Sequence, residues 1–201
     1  AAPFGVDIGG VAPAFVALSA DAGTDSWLTV GYVDGFSGSD LMASPGTPER
    51  LNFWTADAGV TLTNDAVFRL PTNGASGSVV IAQLTVQGTW SATLNAQGRN
   101  NDGTDWEARG IEFSGVVGGG GSVVIPAEDL APTVATVGSG ANGDTVRLSV
   151  QLGADQENMY AIFGHSDSPM SLPAAYQSAA PFGVDIGGVA PDFVALSADA
   201  G

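Results

Sequence analysis

Apolar residues along this chain gather in short runs, many of which alternate with polar ones. The run at 15–18 (Phe-Val-Ala-Leu) comes first, then 27–33 (Trp-Leu-Thr-Val-Gly-Tyr-Val). Further runs stand at 79–86, 90–96, 106–113, 123–125, 146–150 and 159–163. They are rich in Val, Ile, Thr and aromatic residues and bounded by Gly, Asn, Asp or Pro, the punctuation of strands and turns. A helical spacing of apolar residues is sustained nowhere; at most, residues 172–177 after Pro169 allow a single turn. Roughly ten strands with regular turn signals predict an all-β chain, folded as a β-sandwich of jelly-roll or immunoglobulin-like kind.

Two stretches break the pattern. Residues 115–121 read GVVGGGG, and 126–143 are mostly Pro, Ala, Gly and Thr with one acidic pair, Glu128 and Asp129. Such composition predicts a linker or arm over 115–145, with one short strand at 123–125 inside it. The chain then divides into a segment at 1–23, a β-sandwich core at 24–114, the linker, and a β segment at 146–201 that completes this unit or the next.

The ends carry the strongest signal. Residues 1–23 recur at 179–201, an offset of 178, with 22 of 23 positions identical and Ala14 replaced by Asp192. That is one period of a tandem array plus the start of the next, a segment exchanged between units, or both; an artificial duplication fits the Ala14/Asp192 drift less well. If 15–18 is a strand, 193–196 is the same strand, and a sheet has one slot for it. The second copy then leaves its backbone unpaired unless a neighbouring unit accepts it. Strand addition satisfies the backbone, and a heterologous contact of this kind propagates as a filament. The side chains expected to mediate this self-association are Phe15, Val16 and Leu18 in the first copy. In the second they are Phe182, Val184, Ile186, Phe193, Val194 and Leu196.

The stretches Asn158-Met-Tyr-Ala-Ile-Phe-Gly, Pro173-Ala-Ala-Tyr-Gln-Ser-Ala-Ala-Pro-Phe-Gly and Phe193-Val-Ala-Leu-Ser-Ala-Asp-Ala-Gly look like one domain beginning. Trp27-Leu-Thr-Val-Gly, Asp65-Ala-Val-Phe, Val80-Ile-Ala-Gln-Leu-Thr-Val and Asn95-Ala-Gln-Gly-Arg99 look like its continuation. In this order they resemble secreted tandem-repeat β-sandwich domains of microbial surface and extracellular-matrix proteins. The resemblance implies an extracellular or cell-surface location and no activity. It also implies a folding unit that starts near Val146 in one period and ends near Ser114 in the next. Each globule would then combine the C-terminal part of one unit with residues 24–114 of its neighbour.

Composition narrows the partners. With 21 acidic against 5 basic residues, all of them arginine, the net charge is −16. That argues against nucleic acid and anionic membranes, both of which need clustered cations. No run reaches the ~18 apolar residues of a membrane span. Cysteine and lysine are both absent, which removes disulfides, thiolate metal sites and Lys–Asn isopeptide links. Any polymer is therefore non-covalent or continuous through the backbone. The chain opens on Ala1 with no signal-peptide pattern, as a mature or excised piece would.

Candidate chemistry is sparse. His165, the one histidine, precedes Ser166 and Asp167 in a single turn, where adjacent residues cannot converge as a catalytic triad. Asp105 and Glu107 share a strand face as a glycosidase pair would, but solvated polar-face residues are commoner. No enzyme is expected and no cofactor is required. The loop Asn100-Asn-Asp-Gly-Thr-Asp-Trp-Glu107 gathers oxygen donors around a glycine. Calcium is the ion it would take, through Asn100, Asp102 and Asp105, although the same residues are ordinary turn formers. Residues 34–40 and 142–144 are weaker versions. Trp27 and Trp90 alternate with polar residues and are expected in the core. Trp54 and Trp106 border turns and are the candidates for stacking on a polysaccharide. The expected function is a structural subunit or tandem repeat of an extracellular filament or surface matrix, polymerising head-to-tail with itself. The alternative is a carbohydrate-binding or adhesive module of a large surface protein.

Overall fold

Strands carry most of the regular structure in the computed structural model, which describes residues 8–34, 40–119, 121–124 and 130–178, with Phe15 and 121–124 described by their backbone. They are β1 (Trp27–Leu28), β2 (Met42–Ala43), β3 (Val60–Leu62), β4 (Ala66–Phe68), β5 (Ser78–Val86) and β6 (Thr89–Asn100). After these come β7 (Asp105–Val116), β8 (Gly121–Val124), β9 (Ala131–Gly140), β10 (Gly143–Gln151), β11 (Gln156–Phe163) and β12 (Met170–Leu172). Two short helices, α1 (Pro13–Leu18) and α2 (Thr47–Leu51), precede β3. Antiparallel pairing makes two sheets. One holds four strands in the order β1-β5-β10-β9; the other holds eight, β2-β4-β11-β6-β12-β3, with β7 beside β6 and β8 beside β7. The all-β sandwich read from the sequence is the observed fold. Among the described residues no helix is long and apolar enough to cross a membrane.

The long alternating runs become the long strands. β6 and β7 pair from Thr89 opposite Val116 to Arg99 opposite Asp105, and this hairpin sets Trp90 across from Gly115 and Trp106 across from Gly98. A Cβ at Gly115 would lie 2.8 Å from the Trp90 ring, and one at Gly98 would run into the Trp106 ring and the Asn158 carbonyl. Close approach of the two rings, rather than a turn, requires these glycines.

Ala82, Leu84 and Val86 of β5 and Val146, Leu148 and Val150 of β10 share one core with Leu94, Ile111, Phe113, Met159 and Ile162 of the larger sheet. Each large side chain so buried stabilises the fold by roughly 1.5–3 kcal/mol. At a bulge in β6, Asn95 is fully buried with its amide saturated. Its Nδ2 donates to the carbonyls of Phe163 and Ser168 at 2.8 and 2.7 Å. Its Oδ1 accepts from Gly110 N and Ser168 Oγ at 2.9 and 2.8 Å. The side chain replaces the ladder bonds that the bulge interrupts.

Three expectations are corrected. Residues 15–18 are not a strand: they lie in α1, where Val16 N donates to the Ala12 carbonyl at 3.3 Å. Pro13 opens the helix where no N–H is needed, and Ala14, Ala17 and Leu18 favour it; a four-residue apolar run is too short to show which period it follows. The 115–145 stretch is not a linker throughout, since it holds β8 and the ten-residue β9, which pairs along its length with β10. β9 is an edge strand with mostly exposed residues, and the edge tolerates Pro132. β10, β11 and β12 pair with β5, β4, β6 and β3. Last, residues 172–177 make no helical turn: Leu172 ends β12, and 173–177 are irregular.

Candidate functional site

Residues paired directly across strands point to the same side of a sheet. Trp27 pairs with Gln83 and Gln83 with Arg147, so β1, β5 and β10 carry these three in one row. Their neighbours Leu28, Ala82, Leu84, Val146 and Leu148 fill the core, which sends the row to the outer face. An outer face would be wet, yet Trp27 is 1% exposed and Gln83 2%.

The cover is the first copy of the duplicated segment. Ile8 bridges to Leu28, Gly9 N donates to the Leu28 carbonyl at 2.7 Å, and Gly10 bridges to Asp34. Gly10 has a φ of 84°, and a Cβ there would lie 2.7 Å from the Val33 backbone, so only glycine fits. α1 follows, with Val16 against Gly23, and a 3-10 turn over Ala20–Thr24 returns the chain to β1 with Ala22 fully buried. Gln83 ties the cover down. Its Nε2 donates to the carbonyls of Gly23 at 3.1 Å and Asp25 at 2.8 Å, and its Oε1 accepts from Arg147 Nε at 3.1 Å. The Arg147 guanidinium stands 5.9 Å from the Trp27 ring centre, near the outer limit for a cation–π contact. The fit is loose: a cleft of about 140 Å³ remains, lined by Val11, Val16 and Val33 with Trp27, Gln83 and Arg147.

The described residues end at Ser178, beside this cover. Tyr176 N donates to the Thr85 carbonyl at 2.8 Å, and Ser26 Oγ donates to the Tyr176 carbonyl at 2.7 Å. Ser178 N then donates to Asp25 Oδ1 at 2.8 Å. Asp25 is 2% exposed, and none of the ion pairs among the described residues reaches it. Burial pushes its carboxyl up from 3.8 to about 7, against hydrogen bonds from Ser178 and Ser26 that favour the charged form.

Of the residues expected to mediate self-association, Val16 and Leu18 lie on α1, 38% and 64% exposed, with Phe15 on the same helix. Phe182, Val184, Ile186, Phe193, Val194 and Leu196 lie outside the described residues. The docking of the first copy rests instead on Ile8, Gly10, Ala22 and Gly23, which only the duplication itself could have marked: their counterparts are Ile186, Gly188, Ala200 and Gly201. Gln83 gave no signal, because a polar residue beside an apolar one in a strand reads as solvent-facing, and Asp25, which follows the 3-10 turn, reads as an ordinary turn residue.

The other candidate sites are occupied by structure. Trp54 is 1% exposed and its indole N–H donates to the Pro173 carbonyl at 2.7 Å, so it pins the core rather than offering a face to a sugar. Trp106 is half-buried over Gly98, its N–H donating to the Asn158 carbonyl at 3.0 Å. Trp27 and Trp90 are buried, as their alternation suggested. In the loop proposed for calcium, Thr104 N and Oγ1 both donate to Asp102 Oδ1, at 2.9 and 2.6 Å. These bonds hold the Asp102 carboxyl below its ordinary range. Asn100 Nδ2 donates to Thr104 Oγ1 at 3.1 Å, and Arg99 Nε donates to Asp105 Oδ1 at 3.3 Å. The donors close the turn between β6 and β7, and no group of three His, Cys, Asp or Glu side chains gathers among the described residues. Asp105 and Glu107 each face their own arginine, Arg99 and Arg109. His165 Nδ1 accepts the Asp167 N–H at 3.1 Å within its turn. Comparison of the chain with protein-family models, with curated proteins and with solved structures found no match.

Proposed function

We propose that this chain is a non-enzymatic structural repeat of an extracellular filament or surface matrix, joined head-to-tail with copies of itself through the duplicated segment. The observation that carries this reading is the recurrence of 1–23 at 179–201, set beside the place of the first copy as a removable cover on the sandwich. Among the described residues each strand through β12 pairs within the chain, which supports a reading of one sandwich per period. The next copy of the cover begins at residue 179, one residue after the buried Ser178. A net charge of −16 suits a hydrated, self-spacing matrix, and such repulsion keeps a Gly-rich surface soluble between its joints.

Electron microscopy and light scattering of the full chain test the proposal. Strings of sandwich-sized beads that shorten to single beads when 179–201 are deleted are the expected result. A full chain that stays monomeric at high concentration, or strings of unchanged length from the truncated chain, would overturn it.

A further inference from the structure

The four-stranded sheet has one slot for a cover, and the sequence of that cover recurs at residues 179–201. We infer that residues 186–201 of the same chain can take the slot in place of residues 8–23, so that the sandwich closes in two alternative registers. Three observations carry this. The docking residues Ile8, Gly10, Ala22 and Gly23 recur without change as Ile186, Gly188, Ala200 and Gly201. The chain also leaves the sandwich at the right place. Ser178 is bound to Asp25, and Ile8 docks at Leu28, three residues further along the same extended segment and therefore about 10 Å away. Residues 179–185 span up to about 24 Å, ample for the second copy to reach its own slot. Finally, the first copy is held lightly, with the cleft beneath α1 unfilled and both Val16 and Leu18 exposed.

The one difference between the copies, Ala14 against Asp192, falls at a position that is exposed on α1 in the first copy, so it disturbs none of the docking residues. A tether of a few residues also gives the second copy a millimolar effective concentration at its own slot. A neighbour's copy must compete with that closure, so the own-chain exchange sets the concentration at which separate chains begin to join. The inference goes beyond the structural-repeat reading and holds for a monomer as well.

The test uses the full chain and hydrogen exchange of the slot (residues 24–33 and 79–86), with exchange over β6 and β7 as the control for an intact fold. Gly10→Val strains the left-handed φ and strikes the Val33 backbone, disabling the first cover; Gly188→Val disables the second. Each single variant is expected to keep the slot protected in a monomer, whereas the double variant exchanges there about tenfold faster, equivalent to ~1.4 kcal/mol of local opening. If Gly10→Val alone exposes the slot as fully as the double variant, the inference fails. It fails equally if protection in Gly10→Val appears only as the protein dimerises, since the occupant is then another chain's segment. That second outcome would leave the head-to-tail reading standing, and monomers with a redundantly protected slot would do the reverse.

Discussion

Asp25 is a buried carboxylate that no ion pair among the described residues reaches, and Asn in its place isolates the effect. The amide keeps an oxygen for the Ser178 N–H but cannot ionise. The Asp25 carboxyl rises from 3.8 to about 7 on folding, chiefly through burial. A raised acid pKa means that the folded state holds a proton the unfolded chain has released. The resulting stabilisation is complete below pH 3.8 and disappears as pH climbs through about 7. At ~1.4 kcal/mol for each pH unit the whole effect is about 4 kcal/mol, of which about 3 falls between pH 5 and 8. Asp40, Asp65, Asp102 and Asp144 are all held below their ordinary value, so their contributions are lost only as pH falls below about 3.8, outside this window. General repulsion from the net charge acts on both proteins alike and cancels in the difference. Urea unfolding at pH 5 and at pH 8 gives the four free energies needed. The stability of the native chain relative to Asp25→Asn should fall by about 3 kcal/mol between those pH values. Parallel pH profiles for the two proteins, within about 1 kcal/mol, would show that Asp25 is hydrated or paired and would refute the reasoning.

Asn95→Ala removes an amide that serves two donors and two carbonyls in the core, and urea unfolding should show a loss of roughly 3–5 kcal/mol. Trp54→Ala should cost ~3–5 kcal/mol in the same assay by emptying the core beside Pro173, a folding defect and not the loss of a sugar platform. Asp102→Ala should lower the melting temperature equally with and without EDTA, because its carboxylate is engaged by Thr104; a loss seen only without chelator would restore calcium to that loop. Gly98→Val should abolish soluble expression, since the side chain would collide with the Trp106 ring and the Asn158 carbonyl.

The fold class was legible because β5, β6, β7, β10 and β11 are long enough to show their period of two. β9 was not, because an edge strand buries so few residues that Ala131–Gly140 has the composition of a linker. The helix over 15–18 was hidden for a different reason: alternation and helical spacing coincide over four residues, and only Pro13 at the helix start separates them. The duplicated ends marked a segment whose first copy holds a helix, where its four apolar residues had suggested a strand. The slot itself was invisible. Gln83 and Arg147 look like solvated residues of β5 and β10 until a third layer is known to cover them, and Trp54 beside a turn looks exposed until Pro173 is known to cap it.

A cover and an inserted strand make different joints. A donated strand would exchange a full ladder of backbone bonds and would hold nearly irreversibly. The cover seen here is held by the Gly9 N–H to Leu28, two isolated bridges, the Gln83 bonds to the chain returning from it, and modest apolar contacts around Ile8 and Ala22. At roughly 1 kcal/mol net for each hydrogen bond, such a segment opens far more readily than the core does. On the proposed reading, a joint built this way would be strong only when many act together along an array, and a single unit could release and re-form it without unfolding its sandwich.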